Sequence, residues 1–119
     1  MAFRKKLGKF GENLACKYLK NNGFEIIERN YQCRYGEIDI IAEKENTIYF
    51  FEVKSRRIYS FGEPEESITS DKVNKIVLSA KYYLNNKKLY NLSCQFDAIA
   101  INIYSNNIQI KHLEDITSF

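Results

Sequence analysis

Two short segments of this chain carry charge inside apolar runs: Gly36 to Ala42 holds Glu37 and Asp39, and Phe50 to Lys54 holds Glu52 and Lys54. Their β-rich composition predicts strands. The polar Lys44-Glu45-Asn46 between them supplies a hairpin turn, so the two strands should pair antiparallel. A charge left unpaired in such a run costs several kcal/mol or is neutralised by a shifted pKa. Something in the fold has to compensate these residues.

On a strand, residues two apart share a face. Glu52 and Lys54 therefore project together while Val53 points into the opposite layer, and Glu37 and Asp39 pair off in the same way. If the hairpin aligns these faces, a carboxylate from each strand could hold one Mg²⁺, with the Val53 carbonyl as a further hard oxygen ligand and several waters kept. Water acidified by such a metal attacks phosphodiesters, and Lys54 beside it would orient the nucleophile or stabilise charge on the phosphoryl oxygens. The same residues also fit a cross-strand salt-bridge ladder on a solvated sheet face, with Lys54 paired to Glu52 or Asp39.

The rest of the chain gives this hairpin a setting. Leu7, Phe10, Leu14, Ala15, Tyr18 and Leu19 recur at helical spacing up to Asn21-Asn22-Gly23. Residues 24–31 read as a strand, and Gln32 to Tyr35 as the turn into the next. Residues 55–70, with Gly62 and Pro64, read as a long surface loop. A second helix runs from a Ser70-Asp71 cap to about Asn85, with Val73, Ile76, Val77, Ala80, Tyr83 and Leu84 as its buried stripe. Cys94 to Ile103 and Ile108 to Leu113 complete the order αβββαββ, an α/β domain spanning 1–119 with no internal repeat or linker. A chain of 119 residues suffices for one core.

In this order and on these elements, Asp39, twelve intervening residues and Glu52-Val53-Lys54 resemble the signature of the PD-(D/E)xK nuclease superfamily, with Ile38 where the superfamily's name has proline. The chain resembles more closely the YraN-like family, small bacterial proteins related to Holliday-junction resolvases. That resemblance covers nearly the whole sequence through Gly11-Glu12 with Leu14-Ala15, Gly36-Glu37-Ile38-Asp39, Phe51-Glu52-Val53-Lys54 followed by Arg56, Phe61-Gly62 with Pro64-Glu65, and Phe96-Asp97. It implies a restriction-endonuclease-like fold with a central mixed sheet of about five strands flanked by helices. It also implies Asp39 and Glu52 as metal ligands, Lys54 as catalytic lysine and Glu12 as a further acidic site residue. The cofactor would be Mg²⁺ or Mn²⁺, and the substrate DNA, branched DNA first, cleaved to a 3′-hydroxyl and a 5′-phosphate.

Individual residues carry plainer alternatives. Glu12 near a helix start suits the helix dipole, and its angular position falls away from the stripe of Leu14, Tyr18 and Leu19. Glu37 could pair with Arg34 or Lys54. Arg56 and Arg57, leading into a loop with Tyr59 and Phe61, suit phosphates and unstacked bases, and Lys72 and Lys75 open the second helix, where backbone amides could receive a phosphate; each also reads as an ordinary solvated cation. His112, the only histidine, lacks a partner motif.

The net charge of +3 is uneven: residues 1–60 hold twelve Lys/Arg against eight Asp/Glu, and 61–119 six against seven. A one-sided basic surface results if Arg4, Lys5, Lys6 and Lys9 meet Lys54, Arg56 and Arg57 in space. Cys16, Cys33 and Cys94 lack any CxxC pairing and predict buried free thiols, neither disulfide nor zinc. No apolar run approaches the ~20 residues of a membrane span, and the N-terminus lacks a signal-like apolar stretch, so a soluble cytoplasmic protein is expected. A symmetric branched substrate would suit a homodimer. Two rival readings stand beside the nuclease: a nucleic-acid-binding module of the same fold without efficient cleavage, and a scaffold whose charged strands are structural.

Overall fold

The computed structural model describes residues 2–59, 68–89 and 91–117, with residues 2–5 as backbone only. The elements follow the expected order: α1 (Ala2–Asn21), β1 (Glu25–Cys33), β2 (Gly36–Lys44), β3 (Thr47–Arg57), α2 (Ser70–Lys87), β4 (Ser93–Ile103) and β5 (Ile108–Leu113). The five strands form one mixed sheet in sequence order. Neighbours are antiparallel except β3 and β4, which run parallel and are joined through α2.

The helices bury two separate apolar layers, one on each side of the sheet. Ala15, Cys16 and Leu19 of α1 pack with Phe24, Ile40, Ala42, Phe51, Ile99, Ile101 and Ile103. Val73, Ile76, Ala80 and Tyr83 of α2 pack with Ile38, Ile41, Ile48, Phe50 and Ala98. β2 and β3 are covered on both faces, which explains their near-continuous apolar runs. Their connection is tight, with Glu45 and Asn46 both at positive φ.

β3 is longer than the sequence suggested. It stays paired with β4 to Arg57↔Ile103, so Arg56 and Arg57 are strand residues rather than the start of a loop; β4 supplies backbone partners that the local sequence does not announce. The remaining loop residues, including Tyr59's neighbours Phe61, Gly62, Pro64 and Glu65, fall in 60–67, outside the described residues. The cap of α2 is Thr69, not Ser70: its hydroxyl accepts from the Lys72 N–H at 3.2 Å. The three cysteines are free, but only Cys16 is buried; Cys33 is half-buried and Cys94 exposed. Among the described residues no helix is long and apolar enough to cross a membrane.

A buried polar cluster anchors the C-terminal end. Asp97, fully buried on β4, accepts from His112 Nε2 at 2.7 Å, the Asp115 N–H at 2.9 Å and Gln95 Nε2 at 3.0 Å. Burial pushes this carboxyl up, but the bonds from His112, Asp115 and Gln95 more than offset it and leave it below its ordinary value. His112 thus has a partner that its lone place in the sequence did not reveal, in an aromatic setting with Tyr18, Phe24 and Phe51.

α1 approaches β3 through Gly11, where a Cβ would overlap the Ser55 hydroxyl and lie 2.7 Å from the Ser55 Cβ. Gly8, one turn earlier, faces open space. Urea denaturation should therefore separate the two glycines: Gly8→Ala stabilises by about 1 kcal/mol through helix propensity, whereas Gly11→Ala costs about 1–3 kcal/mol from overpacking. Adding Ser55→Gly should recover most of the Gly11→Ala loss. Equal effects of the two alanines would contradict the close approach.

Candidate functional site

The site begins where the central hairpin divides. The β2–β3 ladder runs from Lys44↔Thr47 to Ile40↔Phe51. Beyond it β2 continues against β1, through Ile38↔Tyr31 and Glu37↔Gln32, while β3 continues against β4. At this fork the Asp39 carboxylate takes the place of a strand partner, its Oδ2 accepting from the Val53 N–H at 2.8 Å. A partly buried amide beyond the end of the β2–β3 ladder is thereby satisfied by a side chain.

The backbone also turns over here. Ile40 packs in the α1-side core and Ile38 in the α2-side core, although regular alternation would put them on one face. β1 changes faces at the matching position: Arg29 reaches α1, whereas Tyr31 packs edge-on against Tyr83 of α2. Between them Asn30, opposite Asp39 in the register, has φ 55°, a left-handed conformation that asparagine tolerates better than most residues. The reversal sets Asp39 between the two faces, within the electrostatic reach of both Glu12 and Glu52.

Glu52 and Lys54 occupy the α2 face of β3, while Val53 packs toward the α1-side core, as alternation predicts. Glu52 is buried, 7% exposed, and its Oε1 lies 3.2 Å from Lys72 Nζ at the start of α2. The cation on Glu52 is thus delivered by the helix. Burial alone would lower the Lys72 amine, but the charge of Glu52 and the hydrogen bond to it raise it above its ordinary value.

Glu12 comes from the other side of the sheet. It shares its helical face with Ala15, Cys16 and Leu19 and is 9% exposed, so its expected position away from the buried stripe is corrected. Its expected place near a helix start is corrected with it, since α1 begins at Ala2. The acid is tolerable in this core because Arg29 Nε at 2.8 Å and Asn30 Nδ2 at 3.0 Å both donate to its Oε1. Arg29 also donates to Asn13 Oδ1 at 2.6 Å. These two β1 residues were missed in the sequence; an arginine beside an asparagine inside a β-rich run was the signal available.

The other expected residues divide. Glu37 is exposed and accepts from Gln32 Nε2 at 3.3 Å, a partner other than the two foreseen. Lys75 pairs with Asp71 at 3.7 Å on the surface of α2, a contact of small energetic value. Lys54, Arg56 and Arg57 each have interaction partners of their own. Among the described residues no three His, Cys, Asp or Glu side chains gather as a metal-holding cluster. The fork offers two carboxylates and, beside them, the Val53 peptide.

The strongest electrostatic signal is Asp39, whose carboxyl is raised from 3.8 to about 7, first by burial, then by the Glu52 charge, with the Val53 N–H pulling it partly back. Two acids held this close resist carrying two charges without a cation between them.

A model of the uncharacterised protein family UPF0102 matches residues 11–101. A UPF0102 protein of Clostridium perfringens is 47% identical over 115 residues, covering 95% of this chain and 94% of its own. UPF0102 proteins of the Alaska and Loch Maree strains of Clostridium botulinum are 43% identical over 115 and 114 residues, covering 93% or more of each chain.

The raised Asp39 carboxyl has a signed consequence for stability. Between 3.8 and about 7 the folded chain keeps a proton that the unfolded chain releases. Stability from this group is therefore full at low pH and is lost as pH rises through that window, by up to about 1.4 kcal/mol per pH unit. Asp39→Asn keeps an acceptor for Val53 without the charge. In EDTA, thermal melts of this variant and the wild type should converge near about pH 4 and diverge toward about pH 8, with the variant more stable. Parallel curves would contradict the assignment.

Proposed function

The chain belongs to the uncharacterised protein family UPF0102, and from that premise we propose that it is a metal-dependent endonuclease of DNA, with branched DNA as the first substrate to test. The observation that carries this reading is the Asp39–Val53 hydrogen bond at the fork. It fixes one carboxylate against the strand that bears Glu52 and Lys54. The membership also agrees with the uncharacterised bacterial family that the motifs resembled, while the nuclease link rests on those motifs and on the chemistry of the fork.

The donor set suits a hard divalent cation. Asp39 and Glu52 would supply carboxylate oxygens and Val53 its carbonyl, an all-oxygen set with room for waters that matches Mg²⁺ or Mn²⁺ better than zinc. Burial first and the Glu52 charge second raise the Asp39 carboxyl, and a bound cation would offset both. When bound, the cation would supply Lewis-acid polarisation of a phosphodiester and a more acidic water.

The chain's own residues would do the rest. Lys54, on the same face as Glu52, would orient the attacking water or stabilise charge developing on the phosphoryl oxygens. Glu12, fixed by Arg29 and Asn30, would add negative charge on the α1 side of the fork. Arg56 and Arg57 farther along β3, with Lys72 and Lys75 on α2, would contact substrate phosphates. Products would carry 3′-hydroxyl and 5′-phosphate ends.

Incubation with four-way-junction, supercoiled, linear and single-stranded DNA plus Mn²⁺ tests the reading. The wild type should cleave at least one of them, and Lys54→Ala should lose about 10²-fold or more in rate. Cleavage by Lys54→Ala at the wild-type rate would sink the mechanism. A gel shift without cleavage, weakening steeply with salt, would support the binding module instead.

A further inference from the structure

Glu52 is a buried acid that pairs with a lysine from another element. The Thr69 hydroxyl caps α2 by accepting from the Lys72 N–H, and this cap fixes the backbone of the residue whose ammonium reaches Glu52 at 3.2 Å. The two ends of the ion pair differ in exposure: the Glu52 side chain is 10% exposed and that of Lys72 45%. The carboxylate is held by the strand and core, whereas the lysine rises from solvent on a flexible stem. One partner is fixed and the other can leave without uncovering the core.

A buried carboxylate needs a positive partner, and breaking such a pair by removing one member leaves an uncompensated charge. Lys72 supplies one unit of charge to a region that also contains Asp39. A divalent cation supplies two and takes carboxylate oxygens as direct ligands. The ammonium and the cation would compete for the same Glu52 oxygens.

We infer that Lys72 is the resident counter-ion of the fork: its ammonium occupies Glu52 in the metal-free protein and gives way when a divalent cation binds. This rests on the metal-site reading given above and adds to it a regulatory contact. The ordered exchange has a functional result. The displaced ammonium remains at the first turn of α2, beside Lys75, free to meet a substrate phosphate only after the metal is in place. Metal loading thereby raises the affinity of the α2 end for DNA.

The test compares wild type, Lys72→Met, Glu52→Gln and the double variant, first in EDTA and then with Mn²⁺ by calorimetry. Lys72→Met keeps the aliphatic stem and removes the charge. In EDTA its melting temperature should fall by several degrees, while the same change made in the Glu52→Gln background should cost little. Mn²⁺ should bind Lys72→Met about tenfold more tightly than wild type, and saturating Mn²⁺ should close the gap in melting temperature.

Wild-type Mn²⁺ affinity in Lys72→Met, at a site that Asp39→Asn abolishes, would overturn the exchange and leave the metal site standing. An unchanged melting temperature in EDTA would likewise overturn the counter-ion role. Absence of Mn²⁺ binding in both wild type and Lys72→Met would overturn the metal-site reading and the exchange together.

Discussion

The hydrogen bond from the Val53 N–H to Asp39 Oδ2 is the constraint on which the rest of the site depends. A sheet that kept β2 and β3 paired to their ends would turn the Val53 amide into an ordinary ladder donor. Asp39 would then be one more strand side chain. Because the ladder stops at Ile40↔Phe51, an amide needs a partner and a carboxylate is placed to provide it. The bond ties Asp39 to the strand that bears Glu52.

The three acids of the region are stabilised by different means. Glu12 is paired and aimed by Arg29 and Asn30 from β1, Glu52 is paired with Lys72 from α2, and Asp39 accepts the Val53 N–H while burial first and the Glu52 charge second raise its carboxyl. Arg29 and Lys72 come from elements outside the β2–β3 hairpin, so the docking of β1 and α2 helps set the charge around the fork.

The order of elements was legible because each local signal agreed with its neighbours. Helical spacing in 7–19 and 73–84, β-rich runs and the Lys44-Glu45-Asn46 turn all survive in the structure. Asp39, Glu52 and Lys54 stood out as charges in apolar runs, and the structure brings the first two together at the fork. The length of β3 was not legible, because its last turns of pairing are provided by β4, distant in sequence. Nor was the placement of Glu12: helical periodicity identifies an apolar stripe, but an acid can join that stripe when a strand supplies Arg29 and Asn30. The same reason hid the pairing of Lys72 with Glu52, which depends on how α2 docks, and that of Asp97 with His112, which meet through the β4–β5 pairing. The face reversal at Asp39 required tertiary information, with Asn30 at φ 55° as its only local trace.

The fold thus sets Asp39 and Glu52 on neighbouring strands, with one lysine on the Glu52 strand and another on the facing helix, and the proposed reading places a cation between the two acids. The direct measurement is a crystal structure grown with saturating Mn²⁺, read by its anomalous difference density. The account predicts a peak at the fork within about 2.0–2.3 Å of carboxylate oxygens from both Asp39 and Glu52, as expected for a small hard cation. A structure with Mn²⁺ bound elsewhere, or with the fork free of it and Lys72 still on Glu52, would contradict it.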